Sequence, residues 1–244
     1  MPRGMEGVRK ASAEVEAKRG QGGPSALWFR LASGEESPVR FLEQDDDIAW
    51  AWMHEIPVEG RQWGRNVPCC DQERDGTPCP GCEREMDRRF KGYINLIWPE
   101  APVFKKDKDG KIVRDSTNDP VVLDHKPQVA ILSSGIRLFE ELEEVNTNYR
   151  GLMSRRFKIK RKGSGLDTKY VISPVDIDSG PQELDAEEKK LAEEKYDLSQ
   201  FTTPLSYEDF EKELRGERTN TTTQTSGEAG EQKSANPFMR RRSS

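Results

Sequence analysis

Cysteine is almost missing from this chain: there are four in 244 residues, all between positions 69 and 82. Histidine is scarcer, with only His54 and His125. Thiols so few and so tightly grouped exclude a disulfide framework holding a small secreted domain together. Long apolar runs are missing too. None approaches the roughly 20 residues that a membrane span needs. The charges near the N-terminus are followed by no apolar stretch, which speaks against a secretory signal. The expectation is a cytoplasmic protein with reduced thiols and no membrane partner. Large apolar residues are also in short supply, 33% hydrophobic against 34% charged. That balance is too polar for one core running the whole length. The net charge of −5 is small only because blocks of opposite sign offset each other.

The chain divides by texture. Residues 1–24 are charged and poor in large apolar groups, and read as a flexible, mildly basic arm. Residues 25–176 carry the core signal. Stretches 27–31 and 38–42 read as short strands, and 48–56 as a longer one. In that longer strand Ile48, Trp50, Trp52, His54 and Ile56 share one face, and Ala49, Ala51, Met53 and Glu55 the other. A cysteine loop at 63–90 follows, with a short helix expected over 83–90. Strands are expected at 93–98 and 129–132, with 101–126 as a polar surface excursion between them. Ser133-Ser134 reads as the cap of a helix whose apolar positions are Ile136, Phe139, Leu142 and Val145. Two alternating strands, 156–160 and 169–172, close the list. Beyond lies an acidic, partly helical segment, 177–218, with a weak apolar patch at Phe201, Leu205, Tyr207 and Phe210 that could dock. Residues 219–244 are low in complexity and read as a disordered tail. The order strand, strand, long strand, metal loop, strand, strand, helix, strand, strand predicts a β-rich α+β fold. Its plan is that of an OB-fold barrel with an inserted zinc-binding loop and flexible termini.

Cys79-Pro-Gly-Cys82 is a C-x2-C knuckle, a turn of the length that lets two thiolates meet one ion. A zinc ion takes four ligands. Cys69 and Cys70 are adjacent, and neighbouring side chains diverge, so one of them is the expected third ligand. The fourth is either the other cysteine or His54, just upstream. A thioredoxin-like redox centre would need a βαβ setting that is not there. A catalytic zinc would need a neighbouring general base, and none is visible. One structural zinc is the expectation, and the Asp45-Asp46-Asp47 run reads as a turn rather than a nuclease centre.

Cations gather late in the chain. Arg150, Arg155, Arg156, Lys158, Lys160, Arg161, Lys162 and Lys169 face Asp167 alone, a local excess of seven. Arg156, Lys158 and Lys160 fall on one face of their strand. Arg88, Arg89 and Lys91 form a second group after the cysteines, and Arg61 and Arg65 a third before them. Trp50, Trp52, Trp63, Tyr93 and Trp98 interleave with these groups. Rings beside cations suit single-stranded nucleic acid: bases stack on rings for about 1–3 kcal/mol each while cations follow the phosphates. Trp63, in a polar loop next to Gly64, is the favoured stacking ring.

These features, in this order, resemble the single-stranded-DNA-binding, helix-destabilising proteins of tailed phages, of the T-even type. The residues that carry the resemblance are the strand Trp50 to His54, the loop Cys69-x9-Cys79-x2-Cys82, the strand Tyr93 to Trp98, and the late strand pair between Arg155 and Tyr170. The resemblance spans about residues 25–175 and is most specific in the metal loop. It implies an OB-fold whose zinc is held by one histidine and three cysteines. On that reading Cys69, Cys79 and Cys82 match, His54 is the upstream histidine, and Cys70 is demoted, although the gap from His54 to Cys69 differs from the family's. The fourth ligand stays between His54 and Cys70. The family also implies a non-enzymatic protein that coats single strands in DNA replication, recombination and repair, with little sequence preference. It implies cooperative self-association through a basic N-terminal arm, and recruitment of replication or recombination proteins through an acidic C-terminal tail. Positions 183–218 hold twelve acidic and six basic residues, as expected, but the last charges are Arg240-Arg241-Arg242. The competing expectation is a zinc-ribbon accessory factor in transcription or recombination that binds protein or duplex DNA.

Overall fold

The computed structural model describes residues 26–58, 64–108, 110–163, 168–176 and 180–217. Its elements are β1 (Glu36–Phe41), β2 (Ala49–Ile56), β3 (Arg65–Pro68), α1 (Pro80–Glu83), β4 (Arg88–Phe104), β5 (Val122–Ser134), α2 (Ile136–Tyr149), β6 (Phe157–Lys162), β7 (Lys169–Pro174), α3 (Ala186–Ala192), α4 (Ser199–Thr202) and α5 (Tyr207–Leu214). The expected arm at 1–24 and the tail at 219–244 lie outside the described residues, as do Arg61 and Trp63.

β4 is the strand on which the others are hung. Its first half pairs antiparallel with β2, its middle with the end of β1, and its opposite edge with β5 along nearly its whole length. β1 leaves β4 at Arg40 and pairs by its other end with β6, which pairs with β7. β3 adds to the outer edge of β2. The result is a seven-stranded sheet in a β-rich α+β fold. Among the described residues no ladder joins β7 to β5, so the sheet is open there. α2 lies across the gap, against β4, β5 and β7.

The strand β4 is buried on both faces. Ile94, Leu96 and Trp98 enter the main core with Phe41, Leu132, Leu142 and Phe157. Tyr93 and Ile97 point the other way and are covered by the C-terminal segment: Tyr93 by Leu198 and Phe201, Ile97 by Leu191 and Ala192. Double-sided burial is why 93–98 reads as a near-continuous apolar run. The core therefore extends beyond residues 25–176, into the C-terminal segment.

Five local expectations differ from the structure. Only Pro80–Glu83 is helical, and Arg88 to Phe90 already belong to β4, because pairing with Trp52, Met53 and His54 outweighs local helix preference. The excursion 101–126 is partly ladder: β4 and β5 stay paired out to Phe104 and Val122 across two irregularities. Ser133 and Ser134 are the end of β5, and Gly135 caps α2. The buried positions of α2 are Leu138, Leu142 and Val145, while Ile136 is exposed. A four-and-three spacing fits the 3.6-residue helical period better than repeated threes. Finally, residues 27–31 pair with the sheet through a single bridge, Trp28 to Ile131, rather than as a strand.

Candidate metal centre and the faces around it

The β2–β3 hairpin and the β2–β4 ladder bring His54, Cys69, Cys79 and Cys82 together. Their ligand atoms lie within 4.8 Å of one another, and His54, Cys69 and Cys79 are buried. Cys69 Sγ is 3.7 Å from Cys79 Sγ and 3.5 Å from Cys82 Sγ. His54 Nε2 is 3.6 Å from Cys79 Sγ and 3.5 Å from Cys82 Sγ. A tetrahedral zinc sphere requires sulfur–sulfur separations of about 3.8 Å and sulfur–nitrogen separations of about 3.6 Å. The donor set and its spacing therefore fit one structural zinc ion. His54 completes the set. Cys70 turns away and donates from its thiol to the Leu205 carbonyl at 3.5 Å.

The surroundings orient these ligands. His54 Nδ1 lies 3.2 Å from the Asp87 carbonyl; donation there leaves the Nε2 lone pair for the ion. Gly81 lies under the same ring, where an added Cβ would sit 2.6 Å from His54 Cδ2. Burial acts to raise the Cys79 thiol, but the backbone N–H groups of Cys82, Cys70 and Gly81 outweigh it and bring the value down to about 6. Burial raises Cys69 and Cys82, and pushes the Cys70 thiol up to about 12. One thiolate is thus formed easily, and the others need a cation to ionise.

Gln72 ties the loop to β2. Its amide accepts from Trp52 N at 2.7 Å and donates to the carbonyls of Trp52 and Cys69 at 3.0 and 2.6 Å. Arg88 donates to the carbonyls of Asp71 and Gln72 at 2.8 and 3.2 Å and lies over the Trp52 ring at 5.4 Å. Neither Gln72 nor Asp87 was foreseen as part of this centre; a polar residue three positions after the first cysteine carries no signal of its own.

Trp50, Trp52, Phe90 and Gly92 share one face of the β2–β4 ladder. Trp50 is 52% exposed and stacks on Phe90 at 5.7 Å and 20°. Phe90 meets Trp52 and Phe139 edge-on at 6.0 and 5.8 Å. Gly92 makes room for Phe139, whose Cε2 would be 2.4 Å from an added Cβ. Phe90 and Phe139 were missed as ring-face residues; reading 88–93 as a strand would have aligned Phe90 with the tryptophans. The opposite face of β2, with Ala51 and Met53, is covered by Leu198 and Phe201.

Most of the expected nucleic-acid residues have partners inside the chain. Arg65 pairs with Glu213, and Arg89 with Glu55. Arg156 bonds Glu188 at 2.9 Å and Asp185 at 3.2 Å. Lys158 and Lys160 both reach Glu36, and these lysines hold its carboxyl below the usual range. Tyr93 is buried and stacked on Phe201 at 5.3 Å. Arg155 is buried over Tyr149. Lys91 is partly buried; burial, then Arg30, lowers its value. Lys162 and Lys169 are exposed and opposite each other where β6 meets β7. The metal group, the ring face and the late cations are three neighbouring regions rather than one cluster.

No family model, curated protein or solved structure matches this chain. No helix among the described residues is long and apolar enough to cross a membrane.

Proposed function

We propose that the chain is a non-enzymatic single-stranded-DNA-binding protein of the tailed-phage, T-even type, acting in replication, recombination and repair. The observation that carries this reading is the exposed Trp50 stacked on Phe90, with Trp52, Phe139 and Arg88 around it. A ring displayed in this way loses contact with water when a base stacks on it, and every base offers a π-face, so little sequence preference results. The strand order β5-β4-β1-β6-β7, with α2 between β5 and β6, follows the OB plan short of closure. We read it as an OB barrel whose last seam is spanned by α2. The zinc ion would supply structural cross-linking alone: His54 and the three thiols would hold the 69–82 loop beside the ring face, with Arg88 joining loop to ring.

In this reading the acidic C-terminal segment competes with DNA. Asp185 and Glu188 occupy Arg156, and Glu213 occupies Arg65. These ion pairs give way when phosphates take their places.

The decisive experiment is competition between single- and double-stranded oligonucleotides, followed by Trp fluorescence over a range of salt. A clear single-strand preference, with quenching and affinity falling with salt, supports the proposal. Equal or better binding of duplex, or no binding at all, overturns it. The internal pairing of Arg65, Arg89, Arg156, Lys158 and Lys160 favours the second reading, a zinc-ribbon accessory factor binding protein or duplex DNA. The same competition separates the two.

A further inference from the structure

We infer that the metal loop is the receptor for the C-terminal helix α5, so that metal occupancy controls whether that helix is docked. The ring of Phe210, fully buried, sits edge-on to the His54 imidazole at 5.8 Å and 81°, in one cluster with Cys69, Cys79, Ile56 and Val67. Three of the four candidate metal-binding side chains, His54, Cys69 and Cys79, thus form the pocket of a residue 131 to 156 positions further along the sequence, and the fourth, Cys82, packs against the same cluster. Polar contacts surround this knob. The Cys70 thiol donates to the Leu205 carbonyl, Arg84 pairs with Glu211 at 2.6 Å, and the Tyr207 hydroxyl reaches Glu83 at 2.6 Å. Arg84 and Glu83 lie at the end of α1, the knuckle turn itself. Arg65, on β3, pairs with Glu213.

The dependence follows from how each side is held. α5 has eight residues, Tyr207–Leu214, too few to persist as a helix without a surface to pack on. Its surface combines His54 and Ile56 of β2 and Val67 of β3 with a loop whose one helix among the described residues is Pro80–Glu83, and the loop's thiols converge with the β2 imidazole on one point. Without a cation at that point, Gln72 and Arg88 still tie the Cys69 end of the loop to β2 and β4, but no cross-link holds Cys79 and Cys82 to His54, and the Phe210 pocket loses its shape. The central ladders of β4 with β1 and β5 draw no residue from this cluster and remain. The switch is therefore local: ion present, α5 seated; ion absent, α5 and the loop released together. The inference rests on the metal centre alone and holds whether or not the chain binds DNA.

Hydrogen exchange on the full chain, loaded with zinc and then stripped by a chelator, tests this without nucleic acid. Amides 207–215 should lose protection by about tenfold or more on stripping, in step with 65–86, while amides 94–97 and 129–132 keep theirs. Protection of 207–215 that survives stripping overturns the inference, and so does loss of protection throughout the sheet. Linkage supplies the reciprocal measurement, because the helix and the ion must favour each other equally. Phe210→Leu, and separately Arg84→Gln, should weaken zinc affinity several-fold in competition with a chromophoric chelator. If both variants hold zinc as tightly as the parent, helix and ion are independent and the inference fails.

Discussion

Gly81 has no room for a side chain, because the His54 ring lies where its Cβ would be. Gly81→Ala should push that ring from its place, cost about 1–3 kcal/mol and weaken metal binding. Gly180→Ala, at a site with nothing within 4 Å, should change stability by less than about 0.5 kcal/mol. Thermal melts of both variants, with and without zinc, measure the difference. Cysteine replacement separates ligand from neighbour. Cys79→Ser should abolish stoichiometric zinc, and Cys70→Ser should leave one ion bound, as read by metal content. The pH dependence has a definite sign. Burial keeps Cys69 and Cys82 protonated in the ion-free protein, so binding must expel their protons. Affinity should rise with pH, on the order of a hundredfold per unit if two protons leave, and chelator competition at several pH values gives that slope. A slope of zero would mean that these thiols do not bind the ion. Cys79 and Cys82 were legible from the C-x2-C knuckle, and Cys69 in place of Cys70 was implied only by the resemblance. The choice of His54 over Cys70 was not legible, because it depends on β2 pairing with β3 and β4, which no local spacing encodes.

Strands, not single residues, decide which cations are available. The alternation of Arg156, Lys158 and Lys160 along β6 was legible, and so was their shared face. Their partners were not: Glu36 comes from β1, 122 positions away from Lys158, and Glu188 from α3. Non-local pairing of this kind leaves no trace in a window of sequence. The same limit explains the misplaced helix at 83–90. Glu-Arg-Glu-Met-Asp-Arg-Arg has good helix formers, but its end is recruited by β2. Glu36 shares its one carboxylate between two cations that the proposal needs. Glu36→Gln should therefore raise single-strand affinity several-fold at moderate salt and steepen its salt dependence. Replacing Lys158 and Lys160 with Ala should do the reverse, lowering the logarithmic salt slope by about 0.7 per cation that touches phosphate. Titrations at three or four salt concentrations measure both. If neither variant moves the slope, β6 is a solvated face and the nucleic acid runs elsewhere.

At the scale of the whole molecule the question is whether the C-terminal segment is a removable cover or part of the fold. Its net charge of −6 over 183–218 was legible. Its apolar anchors were visible only as a weak patch, because each helix contributes one or two: Leu191 over Ile97, Phe201 on Tyr93, Phe210 at the metal centre. Buried polar groups add to these. Arg40, 2% exposed, donates to the Gln182 carbonyl, and Asn95 exchanges hydrogen bonds with the backbone of Tyr196 at 3.0 and 3.1 Å. Uncovering Tyr93, Ile97, Val129 and Phe210's pocket forfeits about 1.5–3 kcal/mol for each large side chain. Three or four such losses are comparable with the 5–15 kcal/mol that holds a typical domain together. Ending the chain at residue 181 should then lower the melting temperature sharply and promote aggregation. Charge neutralisation isolates the electrostatic part. Asp185→Asn with Glu211→Gln removes two acidic groups that are only partly buried, and leaves Leu191, Phe201 and Phe210 seated. This double variant should melt within a few degrees of the parent. It should also bind single strands several-fold more tightly at low salt, the difference vanishing as salt rises. An unchanged low-salt affinity would mean that the segment braces the sheet without screening the cations from DNA.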